Sequence, residues 1–130
     1  MSVRSLIRKT VIGDSEVYAL IKDRFYPAQL ASVKNPVFPC ACFSFIGGDP
    51  DRDIPQIGFL TFSIWSWSSL NFEQAYEVYE AVKKALNLVR LVDTEVRCVA
   101  KEVSKPIENF DVVTGDYYLM AGWRLREIEV

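Results

Sequence analysis

The fold is decided by QIGFLTFSIWS, residues 56–66, followed closely by FEQAYEVYEAVKKALNL, residues 72–88. In the first segment, large apolar side chains occupy both alternating sets of positions, which predicts a strand with both faces covered. In the second, apolar residues recur at helical spacing opposite a charged face, and Asn71 precedes them as a cap. A doubly covered strand joined to a long amphipathic helix predicts a layered fold of sheet and helix.

The sequence at the N-terminus, residues 2–27, predicts two short helices. Ser2 is placed to cap the first helix, and Gly13 is placed to end it. The second helix is expected to start at Asp14, and its apolar spacing extends it through Phe25 to a stop at Pro27.

The remaining segments predict strands. The β-prone residues 40–46 predict one strand, and residues 47–55, GGDPDRDIP, predict an exposed hairpin loop after it. Alternating apolar and charged residues predict strands at 94–103 and 116–128, with a loop over 105–115. The order α-α-β-β-α-β-β predicts an α+β fold with a four-stranded, mainly antiparallel sheet. One long helix lies across a face of this sheet, and two short helices stand at the N-terminus.

The composition limits the chemistry. The 130 residues, 50% of them hydrophobic, suit one domain over residues 1–130 with a core that needs no disulfide. The absence of histidine excludes Ser-His-Asp and Cys-His catalysis and removes the commonest metal ligand. Lys and Arg number 15 against 17 Asp and Glu, so no basic excess indicates nucleic-acid binding.

The three cysteines are expected to be buried thiols. The lack of a secretory signal or a long apolar run predicts no membrane partner and folding in a reducing cytoplasm.

The aspartate-rich loop has a partial resemblance to a calcium loop. Asp49, Asp51 and Asp53 match its first positions, but Ile54 and Leu60 stand where the motif needs Gly and Glu. We therefore expect no metal, and the loop is either a solvated turn or a segment that faces a partner.

Trp65 and Trp67 are two residues apart and are expected on one face of their strand. They either form a second small core under the N-terminal helices or meet another subunit. Paired aromatics also occur on RNA-binding sheets, but basic residues are missing beside these two. No catalytic constellation or cofactor motif stands out along the chain, so we expect a protein that is not an enzyme.

Four stretches in this order resemble the tail terminator, or tail completion, proteins of long-tailed bacteriophages and prophages. They are residues 20–27, residues 39–45, the aspartate-rich hairpin, and residues 62–66 with the helix that follows. The resemblance runs over most of the length, although the C-terminal strands fit only in pattern and Trp67 departs from the family.

The resemblance implies a function that depends on geometry. Subunits of this family form a ring, typically hexameric, on the head-proximal end of the tail tube. The ring stops tube polymerisation, offers a docking surface for the head and lets the genomic DNA through its bore. The implied partners are other copies of the chain, the tail tube protein and the head-tail connector proteins, and no cofactor is implied. The implied location is the virion tail, assembled in the bacterial cytoplasm.

A head-to-tail ring needs two different patches on each subunit. We expect Trp65, Trp67 and the exposed sheet edge to form one patch. Arg24 and Tyr26 with the aspartate-rich loop are candidates for the other. The loop residues expected to face the lumen or a partner are Asp49, Asp51, Arg52 and Asp53.

Two alternatives remain open at this point. A head-tail joining or minor tail protein of the same particle has the same general features. A small α+β ligand-binding domain is the alternative from a different class, with the two tryptophans lining an apolar pocket.

Overall fold

The structure is a computed structural model that describes residues 2–47, 59–94 and 96–128. Within these residues the chain forms three α-helices and seven strands, which confirms the α+β class. The helices are α1 (Val3–Ile12), α2 (Ser15–Ile21) and α3 (Phe72–Leu86). The strands are β1 (Phe25–Tyr26), β2 (Cys40–Gly47), β3 (Phe59–Ser68), β4 (Arg90–Val92), β5 (Arg97–Glu102), β6 (Ile107–Asp111) and β7 (Asp116–Glu127).

All seven described strands belong to one sheet, so the predicted four-stranded sheet is too small. Its order is β1-β2-β3-β7-β5-β4, and β6 pairs with β7 beyond the end of β5. The centre is the antiparallel β3–β7 pair, in register from Phe59 opposite Arg126 to Ser68 opposite Tyr117. β1 runs parallel to β2, and the other pairs are antiparallel.

The three helices pack on one side of the sheet, which we call the front face. The alternate side chains of β2, β3 and β7 that point there form the main core with the apolar stripes of the helices. Its largest fully buried side chains include Phe25, Phe43, Phe62, Leu86, Leu119 and Trp123. The opposite side is the back face. Among the described helices, none is both long and apolar enough to cross a membrane.

The predicted helix caps are confirmed. Ser2 accepts a hydrogen bond from the Ser5 amide, and Gly13 stands at the end of α1. Asp14 caps α2, and Asn71 caps α3 through the Gln74 amide. These short polar side chains satisfy amides that have no partner inside the helix.

The predicted end of the second helix is wrong. The second helix ends at Ile21 rather than near Pro27, because Lys22 adopts a φ of 57° and Phe25 enters β1 and stacks on Phe43. The long helix, expected to run to about Leu88, ends close to there at Leu86, and Asn87 in an extended conformation and Leu88 with a φ of 63° follow it.

The predicted loop over 105–115 contains β6 and a tight turn into β7. The predicted strand at 94–103 is confirmed in its central part as β5, and its edge partner β4 was not foreseen.

Candidate functional site

The back face carries a second, smaller cluster of apolar side chains around Trp67. Trp67 is 8% exposed, and its ring centroid lies 4.3 Å from that of Tyr118 and 6.3 Å from that of Phe38. We call this group the aromatic cluster. Its members are Tyr26, Leu30, Phe38, Cys40, Cys42, Trp65, Trp67 and Tyr118.

The register of the sheet explains why these residues meet. Cys42 pairs with Trp65, Cys40 pairs with Trp67, and Trp67 pairs in turn with Tyr118 on β7. Directly opposed residues on neighbouring strands point to the same face, so three strands deliver their large side chains to one place.

The segment between β1 and β2 covers this cluster. A 3-10 turn at Leu30–Ser32 places Leu30 over the sheet. Arg24 fixes the base of the segment, since its Nε donates to the Pro39 carbonyl at 3.0 Å and its own carbonyl accepts from the Ala41 amide at 3.0 Å. The N-terminal helices lie on the front face, so the predicted second core exists but is covered by this segment instead.

An open groove runs beside the cluster, with a volume of about 540 Å³. Trp65, Trp67 and Tyr118 form its floor, and Asp111 and Asp116 lie along the side made by the β6–β7 turn. The remaining lining residues come mainly from the covering segment and include Gln29, Val33 and Pro36.

The Trp67 indole N–H is the one polar group of the cluster that stands out. It lies beside the Cys42 sulfur, which is a weak acceptor, and it has no hydrogen bond of good geometry within the described residues. Trp67 lines the groove, but it is only 8% exposed and its N–H is buried.

The two cysteines of the aromatic cluster are held as unreactive thiols. Burial raises the pKa of Cys40 and of Cys42 to about 12, and the mutual proximity of the two thiols adds to the shift of Cys40. A thiol is a weak nucleophile until it ionises, so neither cysteine is activated near neutral pH. Among the described residues, no group of three or more Cys, Asp or Glu is placed to hold a metal ion.

The structure brings four of the predicted site residues together. Tyr26, Trp65 and Trp67 belong to the aromatic cluster, and Arg24 anchors the segment that covers it. Trp65 and Trp67 were predicted on one patch and Arg24 and Tyr26 on another, but the structure places all four on one surface. The predicted loop residues lie outside the described part of the chain: Asp49, Asp51, Arg52 and Asp53.

The sequence reading missed Leu30, Phe38 and Tyr118. Tyr118 could have been found, because the strand at 116–128 places it on the face opposite Leu119. Leu30 and Phe38 had no such signal, since they lie in an irregular segment whose path depends on β1 and on the Arg24 hydrogen bonds.

Comparison with known proteins adds a likeness of fold. A chain from the virion of a native gene transfer agent (GTA) particle matches with a TM-score of 0.72 and 18% sequence identity. The match covers 97% of this chain and 94% of that chain, so the two share the fold from end to end. No protein-family model and no curated protein matches the sequence.

Proposed function

We propose that the chain is a structural protein of a phage-like virion and acts as its tail terminator. The carrying observation is the end-to-end fold likeness to a chain of a gene transfer agent virion, at a TM-score of 0.72. The four sequence stretches that resemble tail terminators support the finer assignment, because they were identified independently of the fold.

In this role the protein forms a ring on the head-proximal end of the tail tube, stops tube growth and receives the head. It contacts further copies of itself, the tube protein and the head-tail connector proteins, and the genome passes through the bore. It has no catalytic task and resides in the virion tail after assembly in the host cytoplasm. The back face supports this assignment, since it offers an open groove and a bare sheet surface for such contacts.

Light scattering behind size exclusion tests the proposal, with electron microscopy of the same fractions. Over a concentration series we expect a species of about six times the 14.9 kDa of one chain, seen in images as a closed ring with a bore. A monomer at every concentration, or an open filament, would contradict the ring.

A small ligand-binding domain is the second candidate, and the groove beside Trp67 favours it. A groove lined by aromatic side chains, with Asp111 and Asp116 at one side, has the features of a small-molecule site. A ligand that binds only the native state must raise the melting temperature, so a thermal-shift panel of small metabolites separates the candidates. A rise in melting temperature with one metabolite that is lost in Trp67→Ala would favour the ligand-binding domain.

A further inference from the structure

Beyond the aromatic cluster, the back face carries a concentration of positive charge. The cations lie on β4, β5 and β7, and the register places them on neighbouring positions of one surface, with Lys101 opposite Arg124 and Arg126 opposite Val99. All five are exposed. We call this surface the basic half of the back face, and its charged members are Arg90, Arg97, Lys101, Arg124 and Arg126.

These cations have no anionic partner within the described residues. None of the five makes a hydrogen bond or an ion pair there, whereas Arg4, Arg8 and Arg24 all donate to backbone carbonyls. Glu102 on β5 faces the front, where it accepts from Tyr79 and pairs with Lys83, and Asp116 lines the groove at the other end of β7.

Clustering of like charge on one sheet surface destabilises the isolated chain. Opposed residues on neighbouring strands have Cβ atoms about 5 Å apart, so Lys101 and Arg124 repel each other directly. A chain of net charge −2 had 17 carboxylates with which to neutralise this surface. Since no carboxylate among the described residues pairs with these cations, they indicate an anionic surface that meets them in the assembled protein.

The chain carries a matching acidic surface on its opposite side. Glu73, Glu77 and Glu80 follow one another at spacings of four and three residues on the outer side of α3, so they share one exposed stripe. The nearby lysines are already engaged, Lys83 with Glu102 and Lys84 with Glu16, both at 3.4 Å. Lys84 lies on the same face, four residues after Glu80, so the stripe carries three carboxylates and one lysine that already contacts Glu16 and remains acidic overall.

The composition of the basic half favours a protein partner over nucleic acid. Four of its five cations are arginine, the basic residue enriched in protein interfaces, where lysine is depleted. Arginine also binds carboxylates in a bidentate manner, and exposed Val92 adds apolar surface between the charges. The net negative charge of the chain opposes long-range attraction of a nucleic acid.

The spacings of the two surfaces also agree. Along α3 the carboxylates are separated by about 4.5 and 6 Å of helix rise. The cations are separated by about 5 Å between strands and by about 7 Å along one strand. Because the surfaces differ and lie on opposite sides of the molecule, their contact is heterologous and can propagate from copy to copy.

We propose that the basic half of one copy docks on the α3 stripe of the next copy. The contact gives every subunit one donor surface and one acceptor surface, as a head-to-tail ring requires. The proposal deepens the ring function proposed above and rests on it.

A charge-swap experiment on the full chain tests this contact. One variant reverses the basic half (R124E/R126E), and a second reverses the stripe (E77K/E80K). The control K9E/K34E makes the same change in net charge as R124E/R126E, at exposed positions elsewhere. At low salt, we expect each of the first two variants alone to self-associate on the order of 100-fold more weakly than the wild type, because like charges then face each other. The control should assemble like the wild type.

The decisive experiment mixes the two variants, because the reversed surface of each variant is opposite in charge to the reversed surface of the other. In an equimolar mixture both junctions become favourable, acidic surface on basic stripe and basic surface on acidic stripe, so mixed assemblies should return to the wild-type mass. Circular dichroism of each variant checks that it is folded.

Each outcome has a distinct meaning. A closed ring that forms normally in both variants overturns the docking proposal and leaves the terminator function standing. Charge-dependent assembly into open filaments supports the contact and contradicts the ring. A wild type that stays monomeric at low salt overturns both.

A labelled DNA duplex provides the remaining test. If the wild type binds the duplex tightly, R124E/R126E releases it and self-association is unchanged, the basic half is a nucleic-acid site and the proposal is wrong. Neutralising the hairpin loop with D49N/D51N/D53N should leave assembly intact. If it abolishes assembly while E77K/E80K does not, α3 is not the partner of the basic half.

Discussion

The two faces of the sheet differ in how completely they are covered. The front face is buried under three helices and contains Phe62, Leu119 and Trp123, each no more than 1% exposed. Among the described residues, the back face is covered mainly where the β1–β2 segment lies over the aromatic cluster, and exposed cations occupy the part formed by β4, β5 and β7. Burial of apolar surface is the main stabilising term in folding, so the front face holds the fold together and the back face is free for contacts.

The difference shows where this chain carries its functional information. On the front, apolar positions follow the periods of helix and strand, and nearly any well-packed set of similar volume would serve. On the back, exposed cations occupy positions that folding does not require. The following variants break or sharpen this contrast, from the largest expected effect to the smallest.

Removing the largest front-face side chain should have the greatest effect on stability. Trp123→Ala empties a site that is 1% exposed and stacks on Phe62 at 6.0 Å, so we expect a loss of about 3–5 kcal/mol in the free energy of unfolding. Urea unfolding of the monomer measures it. A loss below about 1 kcal/mol would show that the front face does not dominate folding.

Loss of a partly buried hydrogen bond on the front face should have the next largest effect on stability. The Tyr79 hydroxyl donates to Glu102 at 2.6 Å, and Glu102 also pairs with Lys83. Tyr79→Phe leaves that carboxylate short of a partner, so we expect a loss of about 2 kcal/mol. Tyr76→Phe is the matched control, because its bond to Glu108 is exposed and should contribute little. Equal losses in the two variants would contradict the burial argument.

Alkaline pH should test whether the covered part of the back face is as dry as the core. Burial raises the folded-state pKa of Cys42 from 9.0 to about 12, so its stabilising contribution is intact below pH 9 and is lost as pH rises toward 12. Compared with the wild type, Cys42→Ala should lose about 1.4 kcal/mol less between pH 7 and pH 10.

Cys98→Ala is the front-face counterpart, since burial also raises the pKa of Cys98, to about 11. In both variants, the free energy of unfolding should fall less steeply at alkaline pH than it does in the wild type. If only Cys98→Ala does so, water reaches Cys42 and the aromatic cluster is not a second core.

The smallest effect is expected for Trp67→Phe. The indole N–H has no hydrogen bond of good geometry among the described residues, so its removal should change the free energy of unfolding by less than about 0.5 kcal/mol beyond the loss of ring volume. Trp67→Ala removes the ring as well and provides the comparison. A large loss in the phenylalanine variant would mean that the N–H holds a partner in solution.

Local patterns in the sequence were enough to identify the long elements. The caps at Ser2, Asp14 and Asn71 and the alternation along β7 are signals carried by neighbouring residues, and the structure has them where they were expected. The missed strands, β1, β4 and β6, have two, three and five residues. Strands this short have no pattern of their own and form only because a longer strand is already beside them.

The candidate site was predictable to a smaller extent. The even spacing of Trp65 and Trp67 placed them on one face, but their neighbours Tyr26 and Phe38 come from distant parts of the chain. The basic half shows the same limit. Its cations are scattered over residues 90–126, and a balanced net charge conceals them until the register of three strands brings them together.

The salt dependence of the assembled mass is the most direct test of whether the back face mediates contacts between copies through its charges. Light scattering would follow one protein concentration from about 0.05 M to about 1 M NaCl, a range over which the screening length falls from beyond 10 Å to about 3 Å. If the basic half carries the contact, the mass should fall toward the 14.9 kDa of one chain as salt rises. A mass that stays constant or grows with salt would contradict this.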